Sequence, residues 1–171
     1  MKDPAERPDT PPLAEITFCE IMGSFPTGVA IITGRDEHGA AVGLTANSVT
    51  SVSKSPPLVL VCIGEQAYTL KAIRQSQSFA VNFLEAGQEE VARRFAYPTR
   101  GKFAGIESYT GILGVPILQA SLAYAECRVS DIIAGGDHAL VVGAVVNGAC
   151  SRSPPLLYFR GRFYPGQYLE R

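Results

Sequence analysis

GLTANSVTSVSKSPPLVLV, residues 43–61, is the stretch on which the fold turns. It opens at the end of one apolar run, 41–44, and closes inside another, 58–63, both suited by composition to β-strands. Between them lie six hydroxyl residues and Asn47, more polarity than a core accommodates. The reading is two strands joined by a hydroxyl-rich loop. Displayed beside backbone amides, Thr45, Asn47, Ser48, Thr50, Ser51 and Ser53 suit a ligand carrying hydroxyls and a phosphate. A solvated turn, its hydroxyls bonded to its own backbone, is the competing reading.

Working outward, residues 29–33 form another β-branched run, separated from 41–44 by a turn at 36–39. Upstream, Leu13, Ile16, Ile21 and Met22 recur at roughly helical spacing over 13–24, and Pro26 closes that helix. Downstream, Leu70 and Ile73 in 66–77, then Val91 and Phe95 in 87–96, mark two surface helices. Residues 78–84 alternate Phe79, Val81 and Phe83 against Ala80 and Asn82, a strand whose one polar side chain, Asn82, is a candidate site residue. Runs at 122–132, 139–149 and 155–164 continue the pattern, divided by Gly135, Gly136 and Asp137 and by 151–154. Many strands joined by short turns, without alternating helices, predict a mainly β fold: an antiparallel barrel with a few small helices rather than a Rossmann sheet.

A chain of 171 residues with 46% hydrophobic content predicts one domain with its own core, over 13–171, after a tail at 1–12 rich in Pro and charge and expected to be disordered. The formal charge of -1 offers no footprint for a phosphate backbone, so no nucleic-acid partner is expected. No apolar run approaches the roughly 20 residues that span a bilayer, which predicts no membrane association and a soluble, cytoplasmic protein. Cys19, Cys62, Cys127 and Cys150 form no C-x-x-C pair and read as buried, reduced thiols. With two histidines far apart, no metal site is expected.

Neither G-x-G-x-x-G after a strand nor a P-loop occurs, so any nucleotide must be held in another way. His138 follows Gly135, Gly136 and Asp137, where a turn would display its imidazole at a barrel rim; a hairpin residue capping a strand is the alternative. His38 sits in an exposed turn. Arg100 and Lys102 flank Gly101, a pair of cations that suits either a phosphate or plain solvation. No nucleophile with a base stands out, which argues against hydrolase chemistry, whereas hydride transfer asks mainly for placement of two cofactors.

FPTGVAIIT at 25–33, GLTANSVTSVSKSPPLVLV at 43–61, FAVNFL at 79–84, Lys102 with Phe103, GDH at 136–138 and PPLLY at 154–158, in that order, make the chain from Phe18 onward resemble the flavin reductases of two-component monooxygenases. The resemblance implies an FMN-binding split barrel, a Greek-key antiparallel barrel that forms a homodimer. It implies NAD(P)H-dependent reduction of free FMN or FAD and delivery of reduced flavin to a partner flavin-dependent monooxygenase. It assigns flavin contacts to Thr27, Leu44, Thr45, Ala46, Asn47, Ser48, Ser51, Val52, Ser53, Asn82, Phe83 and Leu84, with Lys102 and Phe103 at the phosphate. It assigns His138 to the nicotinamide cofactor as the catalytic-site residue, with Phe159, Arg160 and Arg162 on the same side. NADH is favoured over NADPH, since no arginine is identified that must meet a 2′-phosphate. At position 67 the relatives often carry serine, and Ala67 lacks that hydroxyl. A split-barrel flavoprotein acting on its own small substrate is the alternative within the fold, and a single-strand-binding barrel the alternative outside it.

Overall fold

The computed structural model describes residues 14–99 and 101–166; the tail at 1–12 and Arg100 lie outside the described residues. The elements run α1 (Glu15–Gly23), β1 (Thr27–Gly28), β2 (Ala30–Arg35), β3 (Ala41–Ala46), β4 (Val49–Lys54), β5 (Pro57–Gly64), α2 (Tyr68–Ser76) and β6 (Ser78–Phe83). They continue with α3 (Glu89–Ala96), β7 (Ser108–Thr110), β8 (Pro116–Leu118), β9 (Ala123–Gly135), β10 (His138–Cys150), β11 (Leu156–Phe159) and β12 (Arg162–Pro165). The expected helices and strands are present with ends shifted by a few residues, and the run at 155–164 proves to be the β11–β12 hairpin.

Seven strands form one antiparallel sheet in the order β3-β2-β6-β9-β10-β5-β4. Its centre is the hairpin of β9 and β10, each 13 residues long and interrupted by two register shifts, at Val142/Gly143 and Val145/Asn147. Such bulges sharpen strand twist and let a sheet curl. The two edge strands, β3 and β4, are consecutive in the chain and joined through Asn47 and Ser48, so the sheet's edges meet at that corner, where the Cys62 N–H to Ser48 carbonyl bond at 3.1 Å continues the pairing of β4 with β5. Beyond that bond β3 and the end of β5 run side by side without a ladder, and the barrel is split along this seam.

Alternation explains the core. Ala30, Ile32, Val61, Ile63, Phe79, Val81 and Val141 point into the barrel, joined by Leu70 and Ile73 from α2. On the outer face of β2, Ile31 packs with Leu84, Phe95, Leu118 and Leu156 beneath α3 and the small sheet β1-β11-β12. β2 is therefore buried on both faces, which is why its sequence reads as a continuous apolar run. Each fully buried large side chain contributes about 1.5–3 kcal/mol relative to exposure.

The structure departs from two of these expectations. The hydroxyl-rich segment is largely strand: Thr45 and Ala46 end β3, and Thr50, Ser51, Val52 and Ser53 lie in β4, leaving Asn47 and Ser48 as the connection. β4 is an edge strand with mostly exposed side chains, and such a strand needs no apolar alternation. The cysteines are free, but Cys127 is the buried one, Cys62 is half-buried, and Cys19 and Cys150 are exposed. No helix among the described residues is long and apolar enough to cross a membrane.

Candidate active site

The seam opens into a cleft of about 980 Å³, at the upper end of the range for small-molecule sites. One side is β3. As an edge strand, it directs alternate backbone N–H and C=O groups outward, a row of donors and acceptors that no neighbouring strand uses. Leu44 and Ala46 supply apolar surface along it, Ile63 faces them from β5, and exposed Asn47 and Ser48 sit where the edges meet. The donor set suits a flat, partly apolar ring with a hydroxylated tail: apolar walls, free backbone polar groups, an amide and hydroxyls.

One wall is α3 and the loop after it. Gly43 has no side chain because a Cβ there would lie 2.9 Å from the Phe95 ring, and this close approach seats α3 on β3. Thr45 Oγ1 donates to the Ala92 carbonyl at 2.6 Å, tying the same two elements. Lys102 Nζ donates to Gly43 O at 3.1 Å and to Phe95 O at 2.9 Å, which fixes the ammonium at the cleft and leaves its third N–H for a ligand. Burial of that ammonium pushes its pKa down. Phe103, edge-on to Phe95 with centroids 5.0 Å apart, completes this wall.

The other wall comes from the end of β5, the start of α2 and the β9–β10 turn. His138 pairs in register with Gly64, and its Nε2 lies 3.9 Å from where a Gly64 Cβ would be. Its Nδ1 is 2.8 Å from Asp137 Oδ1, and this bond to His138 holds the Asp137 carboxyl below its ordinary value. With Nδ1 engaged, Nε2 is the ring nitrogen left for a ligand. Asp36, His38 and Tyr68 also line the cleft, and sequence reading did not assign Asp36 or Tyr68 to a site. Their partnership spans 32 residues of chain, which no local pattern signals.

Of the sequence-derived candidates, the structure gathers Leu44, Thr45, Ala46, Asn47, Ser48, Lys102, Phe103 and His138 around this cleft. Others lie elsewhere in the chain. The Asn82 side chain does not face the cleft: it is fully buried, Nδ2 donating to Ile31 O and Thr33 Oγ1 at 3.0 Å each, Oδ1 accepting from the Leu118 N–H at 2.9 Å. A buried amide must be satisfied, and Asn82 is satisfied by locking β8 onto β2. Phe83 packs on the barrel core and Leu84 in the cluster under α3. Ser51, Val52 and Ser53 are on β4, where a bulge between Ser51 and Ser53 leaves Val52 exposed. Thr27, on β1, has a buried Oγ1 without a partner. Phe159, Arg160 and Arg162 belong to the β11–β12 hairpin, and Arg160 lines a separate groove with Cys19, Glu20 and Gly23 of α1; within one chain they do not share the side of His138.

Comparison with known proteins agrees with this architecture. The family described as "Flavin reductase like domain" matches residues 22–167. A flavin reductase (NADH) of Kitasatospora aureofaciens is 43% identical over 148 residues, covering 84% of this chain and 78% of that one. The reductase component of 4-nitrophenol 4-monooxygenase/4-nitrocatechol 2-monooxygenase from Rhodococcus opacus is 37% identical over 163 residues, covering 95% and 87%. Among solved structures, the NADH:FAD oxidoreductase of Streptomyces globisporus C-1027 in complex with NAD and FAD fragments superposes with a TM-score of 0.85 at 34% identity, covering 98% of this chain and 96% of that one. A seven-stranded split barrel with an edge-strand cleft, matched by the family over 22–167, places this chain in the flavin reductase-like domain family.

Proposed function

We propose that the protein is an NADH-dependent flavin reductase that reduces free FMN or FAD and releases the product to a partner flavin-dependent monooxygenase. The observation that carries this is the seam cleft, with an apolar edge strand, a fixed ammonium at Lys102 and an imidazole at His138 around one space. The relatives support the reading by their names: an NADH flavin reductase, a monooxygenase reductase component and an NADH:FAD oxidoreductase.

Bound together, the two cofactors supply the hydride and its acceptor; the protein supplies placement. Leu44 and Ala46 hold the flavin ring, the free edge of β3 with Asn47 and Ser48 bonds its polar atoms, and Lys102 with Phe103 takes the phosphate side. His138 places the nicotinamide, its ring steadied by Asp137. Asn47 and Ser48 are exposed, so the cleft mouth stays open at the point where product must leave.

Two chains form the working unit in this proposal. Ile16, Phe18, Ile21 and Met22 of α1, with Phe25 after it, are all more than half exposed, and Val52 adds to them from β4. Apolar surface of this extent marks an interaction site, and a second copy both covers it and carries Ser51, Val52, Ser53 or the β11–β12 hairpin toward a neighbouring cleft. Four free thiols suit the reducing cytoplasm, where we place the protein.

The direct test mixes purified protein with NADH or NADPH and FMN, FAD or riboflavin under air and follows loss of nicotinamide absorbance. Turnover dependent on added flavin is expected. No turnover with any pair, by folded protein, refutes the assignment and leaves a flavoprotein with its own substrate. Light scattering at assay concentration checks the dimer.

A further inference from the structure

Among the described residues lining the cleft there is one acidic side chain, Asp36, and one lysine or arginine, Lys102. The two are held on different walls. Lys102 is fixed on the α3 side by two carbonyls, as described above. Asp36 sits in the turn between β2 and β3 and is fixed by three donors: Oδ1 accepts the His38 N–H at 3.0 Å and the Ala40 N–H at 2.9 Å, and Oδ2 accepts the Tyr68 hydroxyl at 3.0 Å. Tyr68 is the first residue of α2, so this bond ties the helix to the turn across the cleft rim. A carboxylate held from three directions cannot swing away from an approaching anion.

NADPH differs from NADH by a 2′-phosphate, which as a phosphomonoester carries about 1.5–2 negative charges at neutral pH. Lys102 can neutralise one phosphate, and a bound flavin nucleotide brings its own. The pyrophosphate is common to both dinucleotides and does not discriminate; the 2′-phosphate adds to it, and beside Asp36 it meets no second fixed cation among the described residues to offset the repulsion. A ribose hydroxyl meets a different situation, because Oδ2 receives a single protein donor and retains a lone pair that an O–H can reach.

We infer that Asp36, held in place by Tyr68, is the residue that makes this enzyme choose NADH over NADPH, by repelling the 2′-phosphate and accepting a ribose hydroxyl. The inference rests on the flavin-reductase reading and adds to it the group that selects the dinucleotide. The carboxyl lies below its usual pKa because the Ala40, Tyr68 and His38 donors outweigh the desolvation that would raise it, so the charge is present throughout the working range.

The test compares kcat/KM for NADPH and NADH, at one fixed flavin, in wild type, Asp36→Asn, Asp36→Ser and Glu37→Gln. Asparagine and serine keep an oxygen that caps the turn, so one of the two folds if the turn needs only an acceptor. Either is expected to raise the NADPH/NADH ratio by about tenfold, the scale for removing one fixed charge close to a doubly charged group near a protein surface. Glu37→Gln removes a neighbouring acid that does not line the cleft and is expected to leave the ratio within about twofold. Raising salt from about 0.02 to 0.5 M should narrow discrimination in wild type and leave Asp36→Asn flat, a readout that a purely turn-stabilising role would not move. An unchanged ratio in both Asp36 variants, an equal shift in Glu37→Gln, or salt-independent discrimination in wild type overturns the inference while the reductase assignment stands. Wild type inactive with both nucleotides overturns the assignment and this inference with it.

Discussion

Lys102→Met is the perturbation that most directly separates placement of a phosphate from general support of the cleft. Methionine keeps the unbranched stem and removes the ammonium, so the two carbonyls it holds, Gly43 O at 3.1 Å and Phe95 O at 2.9 Å, lose a donor. Both lie beside the open cleft, where water can replace part of the loss. The structural cost is then about 1–2 kcal/mol, a fall of about 2–8 °C in Tm for a domain of this size. The functional cost is separate. In the proposed role the third N–H would form a charge-assisted bond to a flavin phosphate, whose removal costs about 1.5–3 kcal/mol, or about one to two orders of magnitude in affinity. Riboflavin has no phosphate and feels only the structural part. In steady-state NADH oxidation at saturating nicotinamide, KM for FMN and FAD should therefore rise about 10- to 100-fold while that for riboflavin moves by less than about threefold. An equal rise for all three flavins would refute the phosphate contact and reduce Lys102 to a brace between α3 and β3.

Three further outcomes follow from the geometry. Asn82→Ala strips the Leu118 N–H, Ile31 O and Thr33 Oγ1 of their buried partner, so the denaturation midpoint should drop by an amount corresponding to about 3 kcal/mol or more; a wild-type midpoint would mean that the lock between β2, β6 and β8 is dispensable. His138→Ala should raise KM for NADH more than KM for flavin, and equal effects on both would move His138 from the nicotinamide to general cleft support. Cys127, whose thiol is pushed up to about 12 by burial and then by the charge of Glu126, should resist iodoacetamide at pH 8 in the native state while exposed Cys150 is alkylated, as peptide mass spectrometry would show; native labelling of Cys127 would mean that this part of the barrel opens readily.

The β-rich class, the three helices and most strand positions among the described residues were legible because they depend on near-neighbour patterns. Apolar residues two apart make a half-buried strand and three or four apart make a helix, whatever the rest of the chain does. The ingredients of the cleft were legible for the same reason: the polar junction at Asn47 and Ser48, the cation at Lys102 and the turn presenting His138 each stand out from their surroundings. β4 escaped because its hydroxyl side chains are exposed at a sheet edge, where strand and loop share a composition.

Sequence alone thus determined which segments form strands and helices and which residue types are available for chemistry, since those follow from local alternation and turn chemistry. Tertiary structure decided which of them meet. Asn82 stood out as the polar member of an apolar strand, and whether such a residue lines a site or satisfies a core depends on partners 51, 49 and 36 residues away. Asp36 and Tyr68 carry no joint signal until the curl of the sheet and the seat of α2 set them 3.0 Å apart. The turn of the β11–β12 hairpin, which the family resemblance grouped with His138, lies at another groove within one chain. Long-range contacts of this kind are fixed by how the whole sheet curls and closes, and no window of neighbouring residues contains that information.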